Sequence, residues 1–206
     1  MLRPHSILLW VVAAGLLMGC LGTSPSARYY LLDPLSLDES AQTPAEFETG
    51  LMLGIGPVSF PDYLERQQIV TRKNDHVVRL AEFDRWAEPL KQNFIRVLKE
   101  NLAMLTGTDY VLMEPWPKAA EVEYRLVVEV IRFEVDAQKE ATLTTRWVLI
   151  REDDDVVLLT RRSTHTATAE GSDYGRIVAA LNRVLADFSR EAADQIQRVY
   201  LKEHGR

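Results

Sequence analysis

Apolar positions along this chain repeat with two periods, and the change from one to the other marks out its elements. Trp86, Leu90, Phe94, Val97, Leu98, Leu102 and Leu105 fall on one stripe of a 3.6-residue period. Pro89 disfavours helical geometry at Glu88. Regular helix is therefore expected from about Pro89, with residues 85–88 as a lead-in turn or kinked first turn and Gly107 as a C-terminal stop. A second stripe runs through Ile177, Leu181, Val184, Leu185, Phe188, Ala192, Ile196 and Val199, with Arg176, Arg183, Glu191 and Gln195 on the other face. A helix that long and that two-sided must lie on a sheet or a partner.

Between the helices the period is two. Tyr124, Leu126, Val128 and Val130 are apolar on the even positions, and Ile131, Phe133 and Val135 on the odd ones. One flat strand with one buried face cannot change parity. The switch at Val130–Ile131 predicts a β-bulge, or a strand whose second half is covered on its other face by a neighbour. Residues 141–150 and 156–169 are two further strands joined by the acidic turn 151–155, so 123–169 should form an antiparallel meander.

Ahead of the first helix, 28–32 predicts a short strand ended by Asp33-Pro34, and 33–49 a polar surface loop. Residues 51–60 predict an irregular or edge strand, because Gly54, Gly56 and Pro57 interrupt it. Residues 61–68 predict a turn and extended lead-in, 69–73 and 77–81 a hairpin around Asn74-Asp75, and 110–113 another short strand. Strands, helix, strands, helix is the order of an α+β two-layer sandwich: a mostly antiparallel sheet with two long helices on one face.

The N-terminus lies outside that domain. Arg3 and His5 precede twelve uncharged residues, 7–18. As a helix these would span roughly 18 Å, short of the ~30 Å hydrocarbon core of a bilayer. A basic start, a short apolar run and Gly19 at the end read as a secretory signal peptide over 1–19. Leu17-Met18-Gly19-Cys20 resembles the bacterial lipobox, which implies cleavage before Cys20 and acylation of its sulfur and new amino group. The alternative is an ordinary signal peptide that happens to hold a cysteine. Removing 1–19 takes away one arginine and shifts the net charge from −6 to −7. Residues 20–27 then form a lipidated tether whose seven residues after Cys20 reach ~25 Å when extended. Residues 28–202 form one domain and 203–206 a tail. By the enterobacterial sorting rule, which retains Asp after the cysteine in the inner membrane, Leu21 implies the outer membrane, facing the periplasm.

Composition adds exclusions. The chain has 206 residues, 47% hydrophobic and 26% charged, enough for one domain with a sizeable core. The acidic balance argues against a nucleic-acid partner. A single cysteine permits neither an intrachain disulfide nor a cysteine-built zinc site. His76, His165 and His204 are far apart, and neither a phosphate-binding loop nor a nucleophile elbow occurs. His165 could pair with Ser163 or Thr166, but a histidine in a threonine-rich strand is usually structural. No catalytic constellation, metal site or cofactor is expected, and a binding or assembly role is favoured.

Four segments together carry a resemblance: Arg28–Leu32, residues 56–72 (Pro61, Tyr63, Leu64, then Gln68-Ile69-Val70-Thr71-Arg72), residues 85–90 (Arg-Trp-Ala-Glu-Pro-Leu) and the helix around 185–196. They resemble the PqiC/YmbA family of ABC-type transport auxiliary lipoproteins, over nearly the whole mature chain. Glu65 and Gln67 stand where the family more often has Asp and Pro. The resemblance implies a non-enzymatic outer-membrane subunit, held by acyl chains in outer-membrane lipid. It would dock the periplasmic tube of an MCE-domain protein that carries lipid or other hydrophobic cargo. Relatives that form rings imply self-association. The alternatives are a periplasmic lipid-binding carrier and an assembly chaperone for an outer-membrane protein. Expected partner-interface residues are Tyr63, Leu64, Arg66 and Arg72, with Ile131, Phe133 and Val135 facing a neighbouring copy.

Overall fold

The structure, a computed structural model, describes residues 26–36 and 51–205. Cys20, the signal segment and most of the 33–49 loop lie outside the described residues. In chain order the elements are β1 (Arg28–Tyr30), β2 (Leu53–Ser59), a 3-10 turn (Asp62–Leu64), β3 (Gln68–Asn74), β4 (Val77–Trp86), α1 (Leu90–Thr106), β5 (Val111–Met113), β6 (Tyr124–Val135), β7 (Glu140–Arg151), β8 (Val156–Thr168) and α2 (Tyr174–Glu203). This is the expected α+β class, built on an open sheet of mixed sense.

The long ladders are antiparallel: β6 with β7 and β7 with β8, the expected meander, and β3 with β4 in the expected hairpin. The short ones are parallel: β1 on β4, and β2 on both β5 and β6. One edge of β6 lies along β7. The other is shared between β2, from Tyr124 to Glu129, and β3, at the Thr71–Val135 bridge.

The parity switch in β6 is a β-bulge. The register with β7 slips between Val130 and Arg132, so Ile131 is the extra residue. Phe133 and Val135 are thereby turned into this chain's own core, at 1% and 2% exposure. No neighbouring copy is needed to cover them.

One strand reading is narrowed and one is corrected. β2 is irregular as expected, with a register shift between Ile55 and Val58, but it is not an edge, since β5 and β6 flank it. Pro57, which has no N–H to donate, falls in that shift. β4 continues through Trp86, so Arg85 and Trp86 are strand where residues 85–88 were expected to form a lead-in turn or a kinked first turn. The parallel pairing of β1 with Asp84–Trp86 and the Trp86 N–H donated to the Gln67 carbonyl at 2.7 Å keep these residues extended. Helix α1 begins as predicted, with Pro89 extended at its N-cap and Gly107 left-handed at its C-cap.

Both helices cover one face of the sheet. Phe94 of α1 packs edge-on between Phe60 and Phe133, at ring separations of 5.2 and 5.5 Å, and Phe188 of α2 packs edge-on against Trp147 at 6.1 Å. Phe133 pairs with Leu143, which shares a face of β7 with Trp147. Full burial of each such ring contributes about 1.5–3 kcal/mol. Two amides also sit on the buried side of α1. Asn93 accepts the Leu32 N–H at 2.7 Å. Asn101 accepts the Leu35 N–H at 2.8 Å and donates to Ser189 Oγ of α2 at 3.0 Å.

Candidate partner-facing site

Pro61 supplies an extended N-cap for the 3-10 turn, and its carbonyl accepts the Leu64 N–H at 2.9 Å. Leu64, at 1% exposure, plugs the turn into the core. Arg66, on the outside, donates from Nε to the Tyr63 carbonyl at 2.7 Å. The chain then runs into β3, where Gln68 pairs with Arg85 of β4.

That pairing joins two stretches far apart in sequence. Residues 65–67 and 86–90 form the two sides of one open groove of about 540 Å³, completed by Lys91, Gln92 and Ile95 of α1. A second depression of about 520 Å³ shares Glu88, Lys91, Gln92 and Ile95 and continues past Pro57 and Met113. The trough therefore offers an apolar floor with charges of both signs at its rim. Glu88 is held by Arg96 at 3.2 Å. Arg85 Nε is buried with no hydrogen-bond partner among the described residues. Trough and rim together suit recognition of an extended or helical protein segment, in which an apolar centre is ringed by polar contacts.

Behind the turn lies a buried ionic cluster. Glu134, fully buried on β6, accepts from Arg72 Nε of β3 and from Arg132 Nε at 3.0 Å. Hydrogen bonding to Glu134 raises the Arg72 guanidinium above its ordinary value. Burial, and next the Glu134 charge, raise the Tyr63 phenol. The pair lies beside the Thr71–Val135 bridge and fastens β3 to β6.

The seven expected interface residues therefore do not form one surface. Arg66 lies on the groove, and Tyr63 is half-buried beside Arg72 and Glu134. Ile131 is half-buried on the bulge, while Leu64, Phe133 and Val135 are core residues. Sequence reasoning missed Glu134, because strand alternation opposite Phe133 and Val135 points it away from the helices. It also missed Asn93 and Asn101, although both fall inside the apolar stripe of α1, the one signal that could have found them. His165 braces α2: its Nε2 lies 2.9 Å from Glu191 Oε2, and Arg161 Nη1 donates to Glu191 Oε1 at 3.0 Å. Ser163, on the same face, accepts from Trp147 Nε1 at 3.0 Å.

Among solved structures, an uncharacterised protein is similar at 20% identity, over 84% of this chain and 99% of that one, with a TM-score of 0.68. A DUF330 protein from Xanthomonas campestris is similar at 16% identity, over 89% and 100%, with a TM-score of 0.66. At these identities the likeness is one of fold. No curated protein matches. The model of the ABC-type transport auxiliary lipoprotein component matches residues 30–193, a span that holds the 3-10 turn, both sides of the groove, the ionic cluster and most of α2. The chain belongs to the ABC-type transport auxiliary lipoprotein family.

Proposed function

We propose that this lipoprotein is anchored through Cys20 in the outer membrane and docks the outer end of the periplasmic tube of an MCE-type transport system. The groove between residues 65–67 and 86–90 receives the tube's end. The observation that carries this reading is the Trp86–Gln67 backbone bond, which fuses the two most distinctive segments of the sequence into one accessible trough. Both supply what an interface uses: a rigid turn, a buried anchor beneath it and charged side chains above.

The filled space between sheet and helices, occupied by Phe94, Phe133, Trp147 and Phe188, favours docking over the carrier reading. Self-association into a ring would repeat the trough around the end of the tube.

The test is a pull-down of the MCE protein from detergent extracts with wild-type chain and with Arg66→Glu, Glu88→Lys and Cys20→Ala variants. The groove variants are expected to lose the MCE protein while staying at the membrane. Cys20→Ala is expected to leave the membrane fraction. Groove variants that retain the partner at wild-type yield would overturn the docking surface. A Cys20→Ala chain that still sediments with outer membranes would overturn the anchor. Light scattering of the mature protein tests the ring, and a monomer at every concentration would overturn it.

A further inference from the structure

At the far end of the β3–β4 hairpin lies a third, smaller cavity of about 290 Å³, between the hairpin, the β6–β7 turn and the start of α2. Its charge is one-sided. The side chains of Lys73, Arg79 and Lys139 line it, and none of the three side chains has an ion-pair or hydrogen-bond partner among the described residues. Arg72 also reaches it but is committed to Glu134. The one lining carboxylate, Asp136, is occupied by the backbone: its Oδ1 accepts the N–H groups of Gln138 and Glu140, both at 2.9 Å. Three free cations against one carboxylate leave a net charge of +2, on a chain whose total is −6. Ser172 adds a hydroxyl donor.

The placement of Lys139 is enforced. Its backbone is left-handed, at φ 65°, a conformation that glycine or asparagine adopts more cheaply. It is held there by its own N–H to the Asp136 carbonyl at 3.1 Å and by the Ala169 N–H to its carbonyl at 2.7 Å. A lysine kept where a glycine would be less strained is an outlier that asks for a function.

The cavity also sits where the chain enters the domain. β1 runs parallel to β4, with Arg28 opposite Asp84, so the polypeptide arrives at Arg28 from the hairpin end. The Tyr30 ring lies 6.5 Å from that of Tyr174, a cavity residue.

We propose that this cavity binds the phosphate of an anionic phospholipid headgroup in the membrane that holds the protein. The proposal rests on the reading of Cys20 as the anchor, since a seven-residue tether keeps this end of the domain close to the headgroups. Lys73, Arg79 and Lys139 supply the charge, and the domain is oriented with its hairpin end towards the bilayer and the Trp86 groove free for a partner.

The test uses the processed chain, residues 20–206 with Cys20→Ser, so that no acyl chain contributes and the anchor is tested separately by fractionation. Co-sedimentation is measured with vesicles containing phosphatidylglycerol and with pure phosphatidylcholine vesicles, and competition with inorganic phosphate. Preferential binding to the anionic vesicles is expected. Each lost cation should weaken it roughly fivefold, and the triple variant Lys73→Ala, Arg79→Ala, Lys139→Ala on the order of a hundredfold. Lys139→Gly should weaken binding while its melting temperature stays equal or rises, which a merely structural lysine would not do. Three results would overturn the proposal: equal binding to both vesicle types, unchanged binding by the triple variant, or inorganic phosphate that competes fully at concentrations matching the lipid phosphate.

Discussion

The Arg72 guanidinium of β3 and the Glu134 carboxylate of β6 form an ion pair whose acid is fully buried and whose base is 21% exposed. Arg132 reaches the same Oε1 atom. Removing one partner of a buried pair strands the other, at a cost of about 3–5 kcal/mol. With Arg132 still present, Arg72→Met should cost ~3 kcal/mol, the low end of that range. Adding Glu134→Gln removes the stranded charge, so the double variant should be more stable than Arg72→Met alone. Urea denaturation of the two single variants and the double closes the cycle. Strictly additive losses would show that the two side chains are not coupled.

Asn101 holds three pieces together: α1, Ser189 of α2 and the Leu35 backbone. Asn101→Leu keeps the volume but leaves the buried Leu35 N–H without an acceptor, at about 1–3 kcal/mol. Amide exchange at Leu35 should accelerate more than exchange in the middle of β7. Equal acceleration at both places would mean that the loss is global and not a release of the 32–35 segment.

Gly56 has φ 136°, and a Cβ placed there would stand 2.6 Å from the Glu114 Cβ. Strain and collision act together, so Gly56→Ala should destabilise the fold by at least about 1–3 kcal/mol. Gly205 also has a positive φ, 72°, but nothing within 4 Å, and Gly205→Ala should cost clearly less. Comparable melting temperatures for the two variants would contradict the role of the Glu114 contact.

Burial works to raise the Glu191 carboxyl, but hydrogen bonding from Ser163, Arg161 and His165 outweighs it and holds the group below its ordinary value. A depressed carboxyl stabilises the fold above its unfolded pKa, about 4.3, and that contribution is lost as pH falls through the lower, folded value. Stability measured from pH 6 downwards should therefore drop on the acid side, and Glu191→Gln should flatten that limb while lowering the plateau. Parallel acid limbs for the two proteins would remove Glu191 from the account.

These sites differ in how far the sequence reveals them. Both helices are legible, because a stripe such as Leu90, Phe94, Val97 and Leu98 has only one periodic reading. The bulge is legible too, since Val130 and Ile131 cannot both face one core from a flat strand. Alternation gives a strand's face but not its neighbour, and here the reading stops. Nothing in residues 53–59 says that two parallel strands flank them. Polar residues 84 and 85 look like the end of a strand until Arg28 and Tyr30, more than fifty positions earlier, are seen to satisfy Asp84. Glu134 looks solvent-facing for the same reason. The groove is legible only as two separate segments, because the Trp86–Gln67 bond that unites them is a long-range backbone contact with no side-chain signature.

The divided edge of β6 has a consequence for the order in which this chain can fold. Leu53 pairs with Tyr124, and Thr71 with Val135, so neither β2 nor the β3–β4 hairpin has its place in the sheet until β6 exists. During synthesis from the N-terminus, the first half of the domain can pair β1, β4 and β3 and can set β2 beside β5, but no strand yet joins these two pieces. Distant pairings of this kind slow folding. The sheet of the leading half is thus left in two pieces, and they are joined only when β6 arrives with β7 behind it.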